Sequence, residues 1–218
     1  TLNYLALCDK LLKETGLSDQ GVTSVVGQTG LNKKAVDWIN RAWTEIQNLN
    51  DWDYLWQTSS FNTVSGQQNY DPVDNLALSP VLSKWVTSSV RITDNGQTGY
   101  LTYVPWATWL RTTFSSGKPT SFTIRPDNKM SFNTLPDAVY GIYFDYYRTP
   151  QQLALNTDEL LLAEQYHDAV LYKAILYVAA EQDAPELYQD AQAQLNIRLS
   201  AMGTTALPTI TLAERPVA

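Results

Sequence analysis

The stretch that decides the fold is AVDWINRAWTEIQNLNDWDYLWQTSSFNTVSGQQNY, which runs from Ala35 to Tyr70 and carries four of the seven tryptophans. Its hydrophobic period changes partway along. In the first half, apolar residues recur every three to four positions, which is typical of one side of a helix. These residues are Val36, Ile39, Ala42, Trp43 and Ile46. The second half holds a β-prone run from Phe61 to Val64 that Ser65-Gly66 closes.

This stretch therefore predicts a junction between a helix and a sheet. We expect four residues between the two halves to wedge the helix against the sheet: Trp52, Tyr54, Leu55 and Trp56. On the N-terminal side, Tyr4 to Glu14 predicts a first helix that ends at Gly16, and Asn32 is expected to cap the helix from Lys33 to Asn48. Residues 17–30 read as a loop with room for one short strand.

The region that follows, residues 56–150, is rich in strand signals. Strands are predicted at Trp56 to Val64, Lys84 to Thr93, Gly99 to Val104, Ser121 to Arg125, Lys129 to Asn133 and Val139 to Tyr147. Turn residues stand at Asp94-Asn95-Gly96 and at Asp127-Asn128. Pro105 can open a short helix from Trp106 to Phe114, because proline is tolerated in a first helical turn.

Two further helices are predicted near the C-terminus. Ala163 to Glu181 has apolar residues on a wide surface, which favours central burial, and the helix that begins near Pro185 has a narrower apolar stripe. After Gly203 we predict an extended arm, because the helical period ends. The expected fold is α+β: residues 1–55 and 151–202 form a helical bundle, residues 56–150 a β-rich insertion, and residues 203–218 an extended C-terminal arm.

Composition limits the class of protein. A chain of 218 residues buries roughly 70% of its unfolded surface, so a sizeable core is available. The apolar runs are far shorter than the ~20 residues that a bilayer span needs, and no basic segment followed by an apolar stretch opens the sequence. We expect a soluble protein without a secretion signal. Because Cys8 is the single cysteine, an intramolecular disulfide is impossible, which fits assembly in a reducing compartment.

The net charge of -7 is unevenly spread along the chain. Residues 151–202 carry eight acids and two bases, and the rest of the chain is close to balanced. A protein that grips DNA needs lysines and arginines against the phosphates, and the sequence has no such cluster. An acidic surface instead repels DNA, or it is simply a solvated helix face.

Catalytic chemistry has few candidate residues. His167 is the only histidine and lies within a predicted core helix, so a nucleophile–histidine site is not expected. His167 and Cys8 are too few nitrogen and sulfur ligands for a usual zinc site, and glycine-rich phosphate loops are missing. Acids stand close together at Asp51 with Asp53 and at Asp71 with Asp74, which leaves a glycosidase pair open. We expect no catalytic residues, metal or cofactor.

Aromatic residues are concentrated in the β-rich region. Strand alternation places Tyr140, Ile142, Phe144 and Tyr146 on one face, and Tyr143 and Tyr147 with Asp145 on the other. One of these faces must be core, and the other suits a subunit interface. Exposed aromatics also stack on sugars, so a carbohydrate- or receptor-binding β module of a tail assembly is the alternative. The flanking helices count against such a module, because these are usually sheet throughout.

Several segments in this order resemble the head-to-tail adaptor (head-completion) proteins of tailed bacteriophages. The segments are YLALCDKLLKETG, VDWINRAWTEIQ, FNTVSGQQNY and GKPTSFTIRPDNKMSFNTLPDAVYGIYFDYYRTPQQL, followed by the two helices. The resemblance extends over about residues 4–200 and is carried by pattern and order. It implies a structural virion protein rather than an enzyme.

The resemblance also implies partners and a location. About twelve copies would form a ring under a dodecameric portal protein, extend the DNA channel and connect to a downstream tail or nozzle protein. DNA would pass through without sequence-specific binding, and no membrane would be involved. The ring would be assembled in the host cytoplasm and reside in the virion neck, between head and tail.

Three sets of residues are candidates for these contacts. The portal-docking set lies in the arm and comprises Leu207, Pro208, Ile210 and Leu212. The channel-lining acids are Asp158, Glu159, Glu164, Glu181, Asp183, Glu186 and Asp190. The subunit-interface aromatics are Tyr143, Tyr147, Trp106 and Trp109.

Overall fold

The structure is a computed structural model that describes residues 2–110 and 115–207. The chain divides into two compact units. One combines the segment up to Leu55 with the segment from Pro150 onward, and the other is Trp56–Thr149. The first unit is built from helices and the second mainly from strands, so the chain is α+β as predicted.

The long helices of the first, helical unit are α1 (Tyr4–Glu14), α2 (Gly30–Gln47), α4 (His167–Glu181) and α5 (Pro185–Thr205). The α1 boundaries are as predicted. The Asn3 side chain accepts a hydrogen bond from the Ala6 N–H at 2.9 Å, which satisfies a donor that the first turn leaves unpaired. Gly16 follows the last turn with a φ of 65°, a conformation that suits a residue without a Cβ.

Helix α4 lies at the centre of this unit. Its apolar residues surround most of the helix, and α1, α2 and α5 all pack against it. Ala169, Val170, Ala174 and Val178 are completely buried, which confirms the central burial expected from the wide apolar surface. A 3₁₀ turn, Glu164–Tyr166, precedes the helix in place of the predicted first α-helical turn.

The prediction that Asn32 caps α2 is wrong. The helix begins three residues earlier than predicted, at Gly30, with Thr29 in an extended conformation as the N-cap residue. Gly30 has a φ of 59°, which turns the chain into the helix without a Cβ clash. Asn32 lies inside the first turn, where its side-chain amide donates to the Gln28 side chain. The described residues of the loop before α2 contain no strand.

The predicted start of the C-terminal arm at Gly203 is also wrong, because α5 continues to Thr205. Tertiary contacts hold the last turn. Met202 is fully buried, the hydroxyls of Thr205 and Tyr166 are 2.6 Å apart, and the Asp53 N–H donates to the Ala206 carbonyl at 2.9 Å. These contacts outweigh the low helix propensity of glycine, which is about 1 kcal/mol worse than that of alanine.

Aromatic residues hold the segment after α2 against that helix. The Trp52 indole N–H donates to the Ile46 carbonyl at 2.7 Å. The Tyr54 ring stacks on the Trp43 ring with centroids 5.7 Å apart, and Leu55 is buried in a 3₁₀ turn. Trp56 begins the first strand.

The second, β unit contains short and long strands. They are β1 (Trp56–Asn62), β2 (Asn69–Tyr70), β3 (Leu82–Asp94), β4 (Gln97–Tyr100), β5 (Thr102–Tyr103), β6 (Ser115–Ser116), β7 (Ser121–Ile124), β8 (Met130–Phe132), β9 (Thr134–Leu135) and β10 (Gly141–Arg148). In the described residues they form a sheet in the order β1-β10-β3-β4, a sheet in the order β2-β8-β7-β5, and a β6-β9 pair. Both larger sheets contribute to one hydrophobic core, which contains Phe122, Phe132 and Phe144.

The strand predicted from Gly99 to Val104 is wrong as a single element. It is divided into β4, which pairs with β3, and β5, which joins the other sheet beside β7. Leu101 lies between them, buried, with its N–H donating to the Val90 carbonyl. Burial of this one side chain directs the chain from one sheet to the other.

The short helix after Pro105 is described only in part. Helix α3 (Trp106–Trp109) begins where it was predicted, and its continuation into residues 111–114 lies outside the described residues. The short strands β2, β6 and β9 were not predicted. Each has two residues, too few to show an alternating pattern.

The β3–β4 hairpin confirms the turn predicted at Asp94-Asn95-Gly96. Asp94 pairs with Gln97, and the two residues between them have φ angles of 47° and 80°. Such a two-residue turn matches the right-handed twist of the strands and favours Asn-Gly.

A charged cluster connects α2 to α4 in the helical unit. The Glu45 carboxylate lies 2.9 Å from Arg41 Nε and 2.9 Å from Lys173 Nζ. Partial burial of the carboxyl raises the pKa of Glu45. Hydrogen bonds from the Tyr177 hydroxyl and from the Lys173 and Arg41 side chains outweigh this effect and lower the pKa to about 2.

We expect Glu45→Gln to lower the free energy of unfolding by about 0.5–1 kcal/mol at pH 7, because a neutral amide loses both charge pairs at a largely solvated site. A carboxyl whose pKa is lowered on folding stabilises the protein above its ordinary pKa of 4.5 and loses this effect as the pH falls towards 2. The difference between the variant and the wild type should therefore disappear between about pH 5 and pH 2.

Chemical denaturation followed by circular dichroism at several pH values measures this difference. Glu14→Gln is the matched control, because Glu14 has a single, longer contact of 3.7 Å with Lys10. Equal and pH-independent losses for both variants would contradict a role for the Glu45 cluster.

Candidate interaction surface

The alternation of β10 builds both the core and an outer surface of the β unit. Ile142, Phe144 and Tyr146 point inward and are buried, so the face that they share is the core face of the two that the sequence left open. Tyr143 points outward, and 42% of its surface is exposed. Asp145 shares the outer face and accepts a hydrogen bond from the Thr58 hydroxyl at 2.8 Å.

Strand pairing places Tyr143 in a line of side chains that crosses the sheet. Tyr143 of β10 is opposite Ser60 of β1 on one side and Arg91 of β3 on the other, and Arg91 is opposite Tyr100 of β4. Directly opposed residues share a face, with Cβ atoms ~5 Å apart. We call Ser60, Tyr143, Arg91 and Tyr100 the tyrosine–arginine row.

The tyrosine–arginine row is accessible to a partner. Tyr100 is 73% exposed and Ser60 is exposed as well. The Arg91 guanidinium makes no ion pair or side-chain hydrogen bond with any residue that the structure describes. Tyrosine and arginine are enriched among the residues that contribute most to protein interfaces, so the row has the chemistry of a protein contact.

The neighbouring hairpin holds the row in place. The Thr93 and Thr98 hydroxyls lie 2.9 Å apart across β3 and β4, next to the Arg91–Tyr100 pair. On the opposite side of β3, Val90 and Ile92 are buried in the core. Arg91 therefore projects from a strand that is anchored on its other face.

Tyr147, predicted as an interface residue beside Tyr143, is only 8% exposed. The Trp56 ring packs edge-on against it with centroids 5.3 Å apart, and Lys84 lies 5.7 Å from its ring centre. Tyr147 thus lies on the same face as Tyr143, but its ring is already covered within the chain.

The two tryptophans of α3 also differ in exposure. Trp109 is buried, and Trp106 is partly exposed beneath the Arg125 guanidinium, which lies 5.6 Å from its ring centre. Both line a cavity of about 210 Å³ together with Gln68, Asn69, Leu110, Arg125 and Ser131. Ligand pockets usually measure ~300–1,000 Å³, so this cavity is small for the sugar site that a carbohydrate module would require.

The predicted channel acids fall into different environments. Asp158 is partly buried, and the N–H groups of Leu155 and Ala154 hold its pKa below the usual value. Glu181 forms an ion pair with Lys34. The other five are exposed: Glu159, Glu164, Asp183, Glu186 and Asp190.

The two side chains considered for catalysis or metal binding, His167 and Cys8, are both buried. His167 is 1% exposed, and its Nε2 lies 2.9 Å from the Leu162 carbonyl, to which it donates. Its Nδ1 is buried and has no hydrogen-bond partner among the described residues. Burial raises the pKa of the Cys8 thiol to about 12. In the part of the chain that the structure describes, no group of three or more His, Cys, Asp or Glu side chains is placed to bind a metal ion.

The acid pair at Asp71 and Asp74 is part of a turn. The Asp71 carboxylate accepts the N–H groups of Asp74 and Val73 and lies 3.3 Å from Lys129, so its pKa is below the usual value. A general acid for glycoside hydrolysis needs a raised pKa instead. Asp53 likewise lies in a short 3₁₀ turn.

Among the described residues, no helix combines the length and hydropathy that crossing a bilayer requires.

Most of the docking residues predicted in the arm lie outside the part of the chain that the structure describes. Leu207 is described and is partly buried, directly after α5. Pro208, Ile210 and Leu212 lie outside the described residues.

In a comparison with models of known families, residues 2–214 match the family described as SU10 adaptor protein. The match includes both compact units. No curated protein sequence matches the chain.

We expect His167→Gln to remain folded and to lose about 1 kcal/mol of stability, because the glutamine amide can still donate to the Leu162 carbonyl. His167→Leu leaves that buried carbonyl without a donor and should cost more, about 1–3 kcal/mol. Chemical denaturation of both variants shows which of them loses more stability. Hydrolysis of sugar or peptidoglycan by the wild type that disappears in His167→Gln would overturn the structural role of His167.

Proposed function

The chain belongs to the SU10 adaptor protein family of phage adaptors, and we propose that it forms the adaptor ring that docks under the portal and connects the head to the tail. In this proposal about twelve copies surround an axis continuous with the DNA channel of the portal. The ring assembles in the host cytoplasm and presents its lower surface to a tail or nozzle protein. The protein performs no catalysis and needs no cofactor.

The observation that carries this proposal is the family match over residues 2–214. It covers α1 and α2, the whole β unit, and α4 and α5, which is nearly the entire chain. The resemblance in the order of sequence segments is thereby confirmed as membership of a phage adaptor family.

We assign the two units different tasks in the ring. Residues 1–55 and 151–207 act as a helical bundle around α4, and residues 56–150 act as a β-rich insertion that supplies exposed side chains for contacts. The exposed outer face of β10, with Tyr143 beside Arg91, supports this assignment. Of the predicted interface aromatics, Tyr143 and the partly exposed Trp106 keep this role.

The portal contact is assigned to the segment from Pro208 to Ala218. Its sequence, PTITLAERPVA, contains apolar Ile210 and Leu212 with Pro208, which disfavours a helix. Bound in a groove between portal subunits, such a segment would bury these side chains, and copies around the ring would add to the total affinity. The contacts of Thr205 and Ala206 with the helical unit indicate that the docking segment starts after Leu207.

The channel wall is assigned to exposed acids of the helical unit. Asp158 and Glu181 are engaged within the chain, so they are set aside. Glu164 also has an interaction within the chain and is set aside with them. The exposed Glu159 and Asp183 keep this role, and the two acids of α5 are treated separately below. Negative side chains repel the phosphates of DNA, so a duplex would slide past without sequence-specific binding.

A chain that ends at Leu207 should fold normally but fail to bind portal-bearing heads, because it retains α5 with its last contacts and lacks the docking segment. Sedimentation of the protein with purified heads measures the binding. A full-length control with Thr209→Ser and Thr211→Ser should bind normally, whereas Ile210→Ser with Leu212→Ser should bind as poorly as the truncation. Full binding by the truncated chain would move the portal contact to another part of the protein.

Replacing Glu159 by lysine should slow DNA ejection, because the lysine adds a phosphate contact in the channel for every copy in the ring. The rate of DNA release from triggered virions measures the effect, which should shrink as the salt concentration rises. Asp19→Lys, in an exposed loop, is the matched charge control. A ring in which Glu159 faces the outer wall would refute its role in the channel.

A further inference from the structure

One side of α5 carries a line of exposed residues. Residues whose spacing alternates between four and three positions lie on the same side of a helix. In α5 the residues with this spacing, counted from Glu186, are all exposed. We call them the α5 stripe: Glu186, Asp190, Ala193, Ile197, Ser200 and Thr204. The helix buries Ala191, Leu195 and Met202 elsewhere on its circumference, so the stripe faces away from the residues that α5 packs into the core.

The α5 stripe combines negative charge with one large apolar side chain. Glu186 and Asp190 make no ion pair with any residue that the structure describes. Ile197 is 57% exposed. The arginine of this helix, Arg198, lies off the stripe, with its guanidinium 5.4 Å from the centre of the Tyr172 ring of α4. The stripe itself contains no positive side chain that could compensate its acids.

The tyrosine–arginine row of the β unit has the complementary chemistry. Arg91 offers a planar guanidinium that can bind a carboxylate through two hydrogen bonds. Tyr143 and Tyr100 flank it with hydroxyl donors on exposed rings. In a chain with a net charge of -7, an arginine that forms no ion pair among the described residues and lies between two exposed tyrosines favours an acidic partner.

We propose that the tyrosine–arginine row of one copy binds the α5 stripe of a second copy, with Arg91 paired to Asp190. This inference rests on the proposed adaptor ring and identifies a contact between its neighbouring subunits. The two surfaces differ, so the contact is head-to-tail and repeats from copy to copy until rotation closes the ring.

The spacings of the two surfaces match. Adjacent strands of a sheet lie ~4.8 Å apart, and the row takes one residue from each of β4, β3, β10 and β1. With a rise of ~1.5 Å per residue, the stripe positions 186, 190, 193 and 197 are separated by ~6, ~4.5 and ~6 Å. A helix that crosses the strands thus places one stripe residue over each strand.

The acidic end of the stripe meets the polar donors of the row. With Asp190 over Arg91, Glu186 lies over Tyr100, and its carboxylate can accept a hydrogen bond from the tyrosine hydroxyl. Both carboxylates then have a donor on the neighbouring copy. Glu186 and Asp190 are in this case part of the subunit contact and do not line the DNA channel.

The apolar end of the stripe meets the other two positions of the row. Ala193 lies over Tyr143, where its single methyl group leaves room for the helix to approach the exposed ring. Ile197 lies over Ser60, whose small side chain leaves room for a branched one. Large and small side chains therefore alternate between the two surfaces, which is the arrangement that close packing requires.

Exchange of the two central charges tests the pairing. Arg91→Asp and Asp190→Arg each oppose like charges, so each should raise the protein concentration needed for half-occupancy of portal-bearing heads by at least about tenfold. The combination of both changes restores an opposite pair and should return this concentration to within about threefold of the wild type. Native mass spectrometry or quantification of the protein per purified head gives the occupancy.

Matched controls separate the pairing from net charge and from folding. Lys129→Asp, which removes an ion pair with Asp71 at a turn, changes the charge of the β unit equally, and Asp19→Arg does so for the helical unit. Both should leave occupancy close to the wild type. Thermal unfolding verifies that all variants are folded. Because the docking segment is intact, single copies of Arg91→Asp should still bind the portal, without the cooperativity that neighbours provide.

The outcomes distinguish this inference from the proposed function. Full, cooperative occupancy by either single variant would overturn the contact and leave the adaptor ring in place. Loss in both single variants without recovery in the double variant would refute the Arg91–Asp190 pair. A wild-type protein that binds no heads at all would instead refute the proposed function itself.

Discussion

Most of the surface of helix α4 is apolar and has to be covered by other helices, and the rest of the helical unit depends on this constraint. Alanine, valine, leucine and isoleucine side chains surround it, and burial of each large one contributes ~1.5–3 kcal/mol. The helices α1, α2 and α5 provide the cover. Since the segments on both sides of the β unit contribute to this packing, residues up to 55 and from 150 onward must meet to complete one core.

Strand β10 has the corresponding position in the β unit. It pairs with β1 and β3, and its alternation sends Ile142, Phe144 and Tyr146 into the core while Tyr143 faces outward. The pattern that buries one face therefore also determines which aromatic side chains a partner can contact. Tyr147 lies on the outer face but is covered by Trp56, so an outward direction alone does not make a side chain available.

The described surface of the chain offers the contacts that the proposed ring requires. The histidine and the cysteine are buried, and the close acids at Asp71 and Asp74 organise a turn. Exposed groups of opposite character lie on different elements instead, with the tyrosine–arginine row on the sheet and acids on α5. A protein that joins copies of itself in a ring needs two such different surfaces, because a head-to-tail contact never uses the same surface on both partners.

The sequence by itself determined the elements whose signals are local. The periods of α1, α2, α4 and α5, the Asn95-Gly96 turn and the alternation of β10 all follow from spacing and from backbone preferences within a few residues. The family follows from the order of these elements along the chain. Element ends were less predictable, because Gly30 and Gly203 take conformations that their surroundings select.

Only the tertiary structure decided the features that join distant residues. Tyr143 meets Arg91 and Ser60 through strand register, which depends on burial along the full length of three strands and leaves no local trace. The division between β4 and β5 depends on a core position for Leu101, and the last turn of α5 depends on Tyr166 and Asp53. In each case the deciding energy comes from packing between segments far apart in the chain, so a pattern read along the chain cannot contain it.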